Sequence, residues 1–337
     1  MTSNPVLVEV TRGGIVESCH RGAFAVVTAE GELVASAGDV SRPVFPRSAI
    51  KAIQALAMVE AGAADRFGFS DSELALACAS HGGEPEHVAT CRTMLTRIGL
   101  TEDDLECGVH RPSSSQAGRE LIVDGRSPTP LHNNCSGKHA GMLALARHLG
   151  APTRGYTEPG HPVQQAIAGV LSDLCDYPIA TATCGVDGCS VPTWAVPLEN
   201  LALGFARLAV QGGFDEARAA AARRLIAAAA AHPFHIAGTG RFCTEVMQSV
   251  PRAFVKTGAE GVFCGAVPHA GLGIALKCDD GHTRASESMM AAVLARFGGF
   301  SDEERTRLEA FAGRALTNHR GRHVGDVRIV EDAFAAG

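Results

Sequence analysis

The chain has 337 residues, 46% of them apolar and 20% charged, with a formal net charge of -6. That length and balance allow a sizeable buried core, in one large or two intimately joined domains. With no dense Lys/Arg run, there is no electrostatic footprint for nucleic acid or an anionic membrane, which leaves small molecules or proteins as partners.

The first twenty residues lack the basic start and continuous apolar segment of a signal peptide. The longest apolar runs, such as Leu225 to Ala231, are too short to span a bilayer. A cytoplasmic location is the expectation, and eleven cysteines, an odd number, are then expected as reduced thiols. Cys78, Cys91, Cys175, Cys243 and Cys264 fall in apolar or helix-like segments and read as small packing residues. Cys135 and Cys189 sit instead in the loop-like stretches CSGKHAG and CGVDGCSVP.

In chain order, VLVEV, AFAVVTAE and ELVASAG read as short strands, with a hairpin turn at Glu30-Gly31. Helical spacing then takes over. Arg47 to Gly62 has apolar residues at helical intervals after Pro46 and a glycine stop; SDSELALACAS follows with Ser70 or Asp71 as its N-cap. Further helices are predicted at Glu84 to Gly99, Ser136 to Gly150, His161 to Cys175, Leu198 to Gly213, Asp215 to His232, Arg241 to Val250 and Ala285 to Gly299. Strand-like segments return late, in RAFVKTG, GVFCGAV, GLGIALKC and HVGDVRIV. Strands at both ends with helices between do not alternate as βαβ units would. The fold class expected is therefore α+β, with a mixed sheet joining both termini (1–40 and 250–332), packed with helices from a mostly helical region, 47–250. No domain boundary is visible, so 1–337 reads as a single catalytic unit.

Of the 30 basic residues, 26 are arginine and only Lys51, Lys138, Lys256 and Lys277 are lysine. A lysine can lose its proton to become a neutral amine, which a guanidinium cannot do. Ser48 and Lys51 form an S-x-x-K at a helix start, where side chains three residues apart share a face and a neutral amine could take the serine proton. Lys256-Thr257-Gly258 closes a strand-like run, and a K-T-G strand facing an S-x-x-K helix is the arrangement of penicillin-recognising serine hydrolases. Cys135, Lys138 and Cys189 form a second group; thiolates suit Zn²⁺, and chemistry alone would put His132 or His139 as the third ligand. Ser80-His81-Gly82-Gly83 has the composition of a loop closing a helix.

RSAIK, CASHGG, HNNCSGKHAGML and GVDGCSVPT, in this order, resemble the asparaginase II family, the Rhizobium-type L-asparaginases, over about Val6 to Val330. The resemblance implies a fold like that of the serine β-lactamases and penicillin-binding proteins, a homodimer, and hydrolysis of L-asparagine to L-aspartate and ammonia. It also implies two Ser-Lys pairs, Ser48 with Lys51 and Ser80 with Lys256, and zinc held by Cys135, Lys138 and Cys189. Arg47 and Asp187 would hold the substrate's α-carboxylate and α-ammonium, with His139 and Gly188 completing the substrate pocket. Two other readings compete: a cytoplasmic acyl-serine hydrolase acting on β-lactam-like or other amides, and a non-catalytic zinc or thiol sensor built on Cys135 and Cys189.

Overall fold

The strands expected at the two ends of the chain pair with one another in the computed structural model, which describes residues 3–210 and 215–334. They are β1 (Val6–Arg12), β2 (Ile15–Thr28), β3 (Leu33–Ala37), β4 (Phe254–Thr257), β5 (Val262–Val267), β6 (Leu272–Cys278), β7 (Arg314–Thr317) and β8 (His323–Ile329). The sheet runs β7-β8-β1-β2-β6-β5-β4, with β3 on β2, and every pairing in it is antiparallel. The hairpin between β2 and β3 turns where Gly31 adopts φ 91° and its N–H meets the Thr28 carbonyl at 3.1 Å.

Two compact units divide the chain, one made of Met1–Ala49, Val196–Val210 and Ser249–Gly337, the other of Ile50–Ala195 and Gln211–Gln248. In the first, both faces of the sheet are covered. A Cβ on Gly273 of β6 would lie 1.9 Å from the Ala202 carbonyl oxygen, so the bare strand backbone admits the helix Leu198–Val210. Gly265 of β5 stands opposite Ile274, one residue on and therefore on the other face, where a Cβ would meet Met290 of the helix Thr283–Phe297. This is an α+β unit with helices on both sides of one sheet. The helix expected to run to Gly213 is described as Leu198–Val210; residues 211–213 lie outside the described residues.

The second unit is mainly helical. Ser70 caps the helix Asp71–Ala77 in a reciprocal box: its Oγ accepts the Glu73 N–H, and Glu73 Oε2 accepts the Ser70 N–H at 2.7 Å. Ser136–Leu149 is the central helix, buried without interruption from Ser136 to Ala146. It can start where it does only because residue 137 is glycine: a Cβ there would fall 2.4 Å from the Leu76 carbonyl oxygen. Pro46 leads first into a 3₁₀ turn, Arg47–Ile50, and the α-helix proper is Lys51–Glu60. Among the described residues, no helix is long and apolar enough to cross a membrane.

Gly137→Ala should therefore destabilise the protein by about 2 kcal/mol or more, because backbone has to move to admit the methyl group. Urea unfolding of the variant against wild type measures it, and an unchanged midpoint would remove the close approach from the list of constraints.

Candidate functional site

The second unit gathers five of the residues singled out from the sequence into one buried cluster. Lys51, the first residue of its helix, is fully buried, and its Nζ donates to the Ala79 carbonyl at 2.5 Å and to Ser80 Oγ at 3.0 Å. Ser80 is held in place by its own backbone, whose N–H donates to the Ile236 carbonyl at 2.9 Å. On the other side, Lys51 also hydrogen-bonds Cys135, which in turn bonds Cys189. Lys138 Nζ donates to Cys189 Sγ at 3.0 Å, and Asp187 acts on that amine through space. The sequence reading placed Lys51 with Ser48; the lysine–serine hydrogen bond described here joins Lys51 to Ser80.

Local structure explains the convergence. Asn133 ties the segment before Cys135 in place, donating from Nδ2 to the Cys107 carbonyl at 2.8 Å and accepting the Cys135 N–H on Oδ1 at 2.9 Å. Cys135 and Lys138 then share the first turn of the central helix. Cys189 comes from a tight loop between the short strands Cys184–Val186 and Pro192–Trp194, closed by Asp187 N–H to the Val191 carbonyl at 2.9 Å. Gly188 is exposed at its tip.

Charge in this cluster is shared among the sulfurs and the amine. Hydrogen bonding from Cys189, against burial and with help from the Lys51 and Lys138 cations, holds the Cys135 thiol well below its ordinary pKa. Cys189, donating to that thiolate and buried, is pushed up. Burial disfavours the Lys138 ammonium, but the two sulfurs beside it outweigh burial and keep it charged. These directions favour one thiolate, one thiol and one ammonium in the trio.

The first unit carries Arg47, Ser48 and Lys256. Arg47 and Ser48 are half-buried in the 3₁₀ turn, and Arg47 has φ 51°, a left-handed conformation that a non-glycine residue adopts at a strain and often at functional positions. The glycine of the K-T-G run abuts this turn, since a Cβ on Gly258 would meet the Pro46 carbonyl oxygen at 2.7 Å. Lys256 is fully buried and donates to the Thr257 carbonyl at 2.7 Å.

Of the two histidines weighed as metal ligands, His139 is fully buried beside Lys138, and burial, reinforced by the Lys138 and Lys51 cations, holds its ring well below the usual pKa. His132 lines a separate cavity of about 450 Å³ with Arg92 and Arg126. The sequence reading missed Asn133, His81 and Tyr156. His81 lay within CASHGG, where the sequence reading took up Ser80 and not the histidine beside it, and Tyr156 carried no signal beyond being one of two tyrosines.

A different donor group lies in the first unit, where His20, Cys278 and Asp280 offer ligand atoms within 4.8 Å of one another and could hold a metal ion. Its donors are already engaged: His20 Nδ1 meets Asp280 at 2.6 Å, Cys278 Sγ donates to Asp280 at 2.9 Å, and Arg284 Nε donates to His20 Nε2 at 3.0 Å. A neutral imidazole bound to metal through Nδ1 would carry a proton on Nε2, facing the Arg284 donor.

A sequence model of the L-asparaginase II family matches residues 8–329. Comparison with curated proteins found no match. Among solved structures, the chain aligns with Mglu in its glutamate form at 18% identity and a TM-score of 0.46, covering 88% of this chain and 63% of that one. It also aligns with a β-lactamase from Mycobacterium bovis (15% identity, TM-score 0.40, 82% of this chain and 95% of that one). A β-lactamase from Sphaerobacter thermophilus aligns at 14% identity and a TM-score of 0.37, over 78% and 84%. The chain thus spans less than two thirds of the length of Mglu.

Beside the cluster, His81 and His87 are held neutral by burial, their pKa values lowered. Each ring accepts a backbone N–H on Nδ1, from Gly83 and Glu84, so a proton on Nδ1 would face another donor. Because the folded pKa lies below the unfolded value of about 6.5, the unfolded chain binds the proton first. Stability is full above about pH 6.5 and should fall as pH drops below it, by up to about 1.4 kcal/mol per pH unit for each histidine. Urea midpoints between pH 7.5 and 5.5 test this; a flat profile would mean that the rings protonate in place.

Proposed function

The chain belongs to the L-asparaginase II family, and from that premise we propose that this asparaginase-like amidohydrolase cleaves the side-chain amide of L-asparagine, giving L-aspartate and ammonia. The observation that carries the reading is the buried Lys51 amine hydrogen-bonded to Ser80 Oγ at 3.0 Å, because acyl transfer through serine needs a hydroxyl beside a group that can take its proton.

In this reading Lys51 first gives up a proton and enters the cycle as the neutral amine; Ser48 Oγ then attacks the amide carbon and its proton passes to Lys51 Nζ. Lys51 then protonates the departing nitrogen, which leaves as ammonia, and water hydrolyses the resulting ester to aspartate and the free hydroxyl. Ser80, held on Lys51, and Lys256 form the second pair and relay the proton. Arg47 pairs with the substrate's α-carboxylate through its planar fork, Asp187 with its α-ammonium, and Gly188 and His139 complete the pocket. The reading takes 1–337 as a single catalytic unit and, from the family, as a cytoplasmic homodimer.

Two thiols, one held as thiolate, and an amine within one buried cluster are a donor set that suits zinc with an open fourth position. Cys135, Lys138 and Cys189 would hold Zn²⁺, which when bound would act as a Lewis acid on a carbonyl oxygen or water. Around it, Lys51 supplies the mobile proton, and Asn133 and the 187–191 hairpin loop fix the two ends of the donor set.

Ammonia release from asparagine, run beside nitrocefin hydrolysis, tests the reading. Wild type should release ammonia and leave nitrocefin intact, and Ser48→Ala or Lys51→Met should each lower kcat/KM by at least about 10³-fold. Nitrocefin opening without ammonia would transfer the site to β-lactam chemistry, and a trapped acyl adduct on Ser80 would reverse the roles of the two serines.

The metal is tested separately. Cys189→Ala should lose zinc by elemental analysis and lose most of its activity with it; full activity without zinc would reduce the metal to a positioning element.

A further inference from the structure

His139 Nδ1 lies 2.7 Å from Tyr156 Oη, both side chains fully buried, with the rings edge to face at 5.5 Å. The same phenol oxygen accepts the backbone N–H of Glu106 at 2.9 Å. A phenol has one proton to give. With the Glu106 amide donating to its oxygen, and His139 Nδ1 the other polar atom described beside it, that proton is placed in the hydrogen bond to Nδ1. The imidazole proton is then on Nε2, a buried atom with no hydrogen-bond partner among the described residues.

The phenol itself is clamped. Glu106 accepts the Gly155 N–H at 2.8 Å and the Thr157 hydroxyl at 3.0 Å, and Gln164 Nε2 donates to the Tyr156 carbonyl at 2.9 Å, so the 155–157 segment cannot carry the oxygen away from His139. Leaving a buried N–H unmatched costs about 1–3 kcal/mol, a penalty that a ligand oxygen would relieve.

We propose that Tyr156 is a positioning residue that fixes the tautomer of His139, so that Nε2 offers an N–H to a substrate oxygen and not a lone pair to a metal. The clause about substrate rests on the asparaginase reading; the tautomer does not. It separates His139 from Cys135, Lys138 and Cys189, which act as electron-pair donors, and makes the histidine a donor for the amide or carboxylate oxygen of a small amino-acid amide.

Nitrogen-15 NMR of the histidine-labelled full chain tests the tautomer directly. Wild type should show His139 Nδ1 as the unprotonated, pyridine-type nitrogen and Nε2 as the protonated one; the reverse assignment overturns the proposal. Because the wild-type spectrum needs no variant, a Tyr156→Phe protein that failed to fold would not shield it. In the folded variant the two tautomers should mix, and kcat/KM for asparagine should fall by about 10- to 100-fold with zinc content unchanged, while the thermal midpoint drops because the Glu106 N–H also loses its acceptor. In a His139→Gln background the same change should have no further effect, and additive losses would show that Tyr156 does not act through His139. If wild type released no ammonia from asparagine, the functional reading would fall while the spectrum still decided the tautomer.

Discussion

Burial of amines beside sulfur is the constraint on which the second unit is built. An ammonium taken out of water loses several kcal/mol of hydration, so it survives only where acceptors surround it. Lys51 has the Ala79 carbonyl, Ser80 Oγ and Cys135; Lys138 has Cys189 and the field of Cys135. Both lysines therefore face the same pair of sulfurs from two sides, and the segments that carry these groups must converge. A small residue makes that possible: Gly137 opens the central helix where any side chain would strike Leu76.

The scarcity of lysine takes on meaning in this light. Lys51, Lys138 and Lys256 are buried, whereas no arginine is buried among the described residues. Lys277, the fourth, is half-buried and donates to the Glu260 carbonyl at 2.6 Å. A compact ammonium on a flexible stem can be enclosed, and can give up its proton when enclosed; a guanidinium fork, always charged, stays outside. The division of labour between the two cations is thus spatial as well as chemical.

What could be read from the sequence were the features set by local chemistry. Ser70 as a cap, the helix at 136–150 and the late strands all follow from spacing over a turn or two, whereas the grouping of Cys135 and Lys138 with Cys189 came from the family resemblance, since 51 positions separate Lys138 from Cys189. The Lys51–Ser80 bond does not, because 29 positions separate its partners and only the closing of the chain brings them together. Nor does the division into two units, since the segments of the first are interleaved with those of the second and no change of composition marks the joins. Tyr156 is invisible for a related reason: its role depends on a backbone amide, Glu106, which has no side-chain signature. Arg47 in a left-handed conformation was equally hidden, because nothing in an arginine announces it.

On the zinc reading proposed above, the charge state of the sulfur–amine trio bears on why a lysine would stand where histidine is the commoner donor. With one thiolate, one thiol and one ammonium, the trio is neutral overall. With Zn²⁺ in place it would hold two thiolates, a neutral amine and the dication, again neutral, so exchange of two protons for the metal leaves the buried net charge unchanged. A histidine in place of Lys138, itself neutral at pH 7 when buried, would take away the ammonium's positive charge, and burial would then favour the protonated Cys135 thiol. On the proposed zinc reading, the lysine proton would supply the positive charge in the metal-free state and withdraw in the metal-bound one, so that the same low-dielectric pocket could tolerate both.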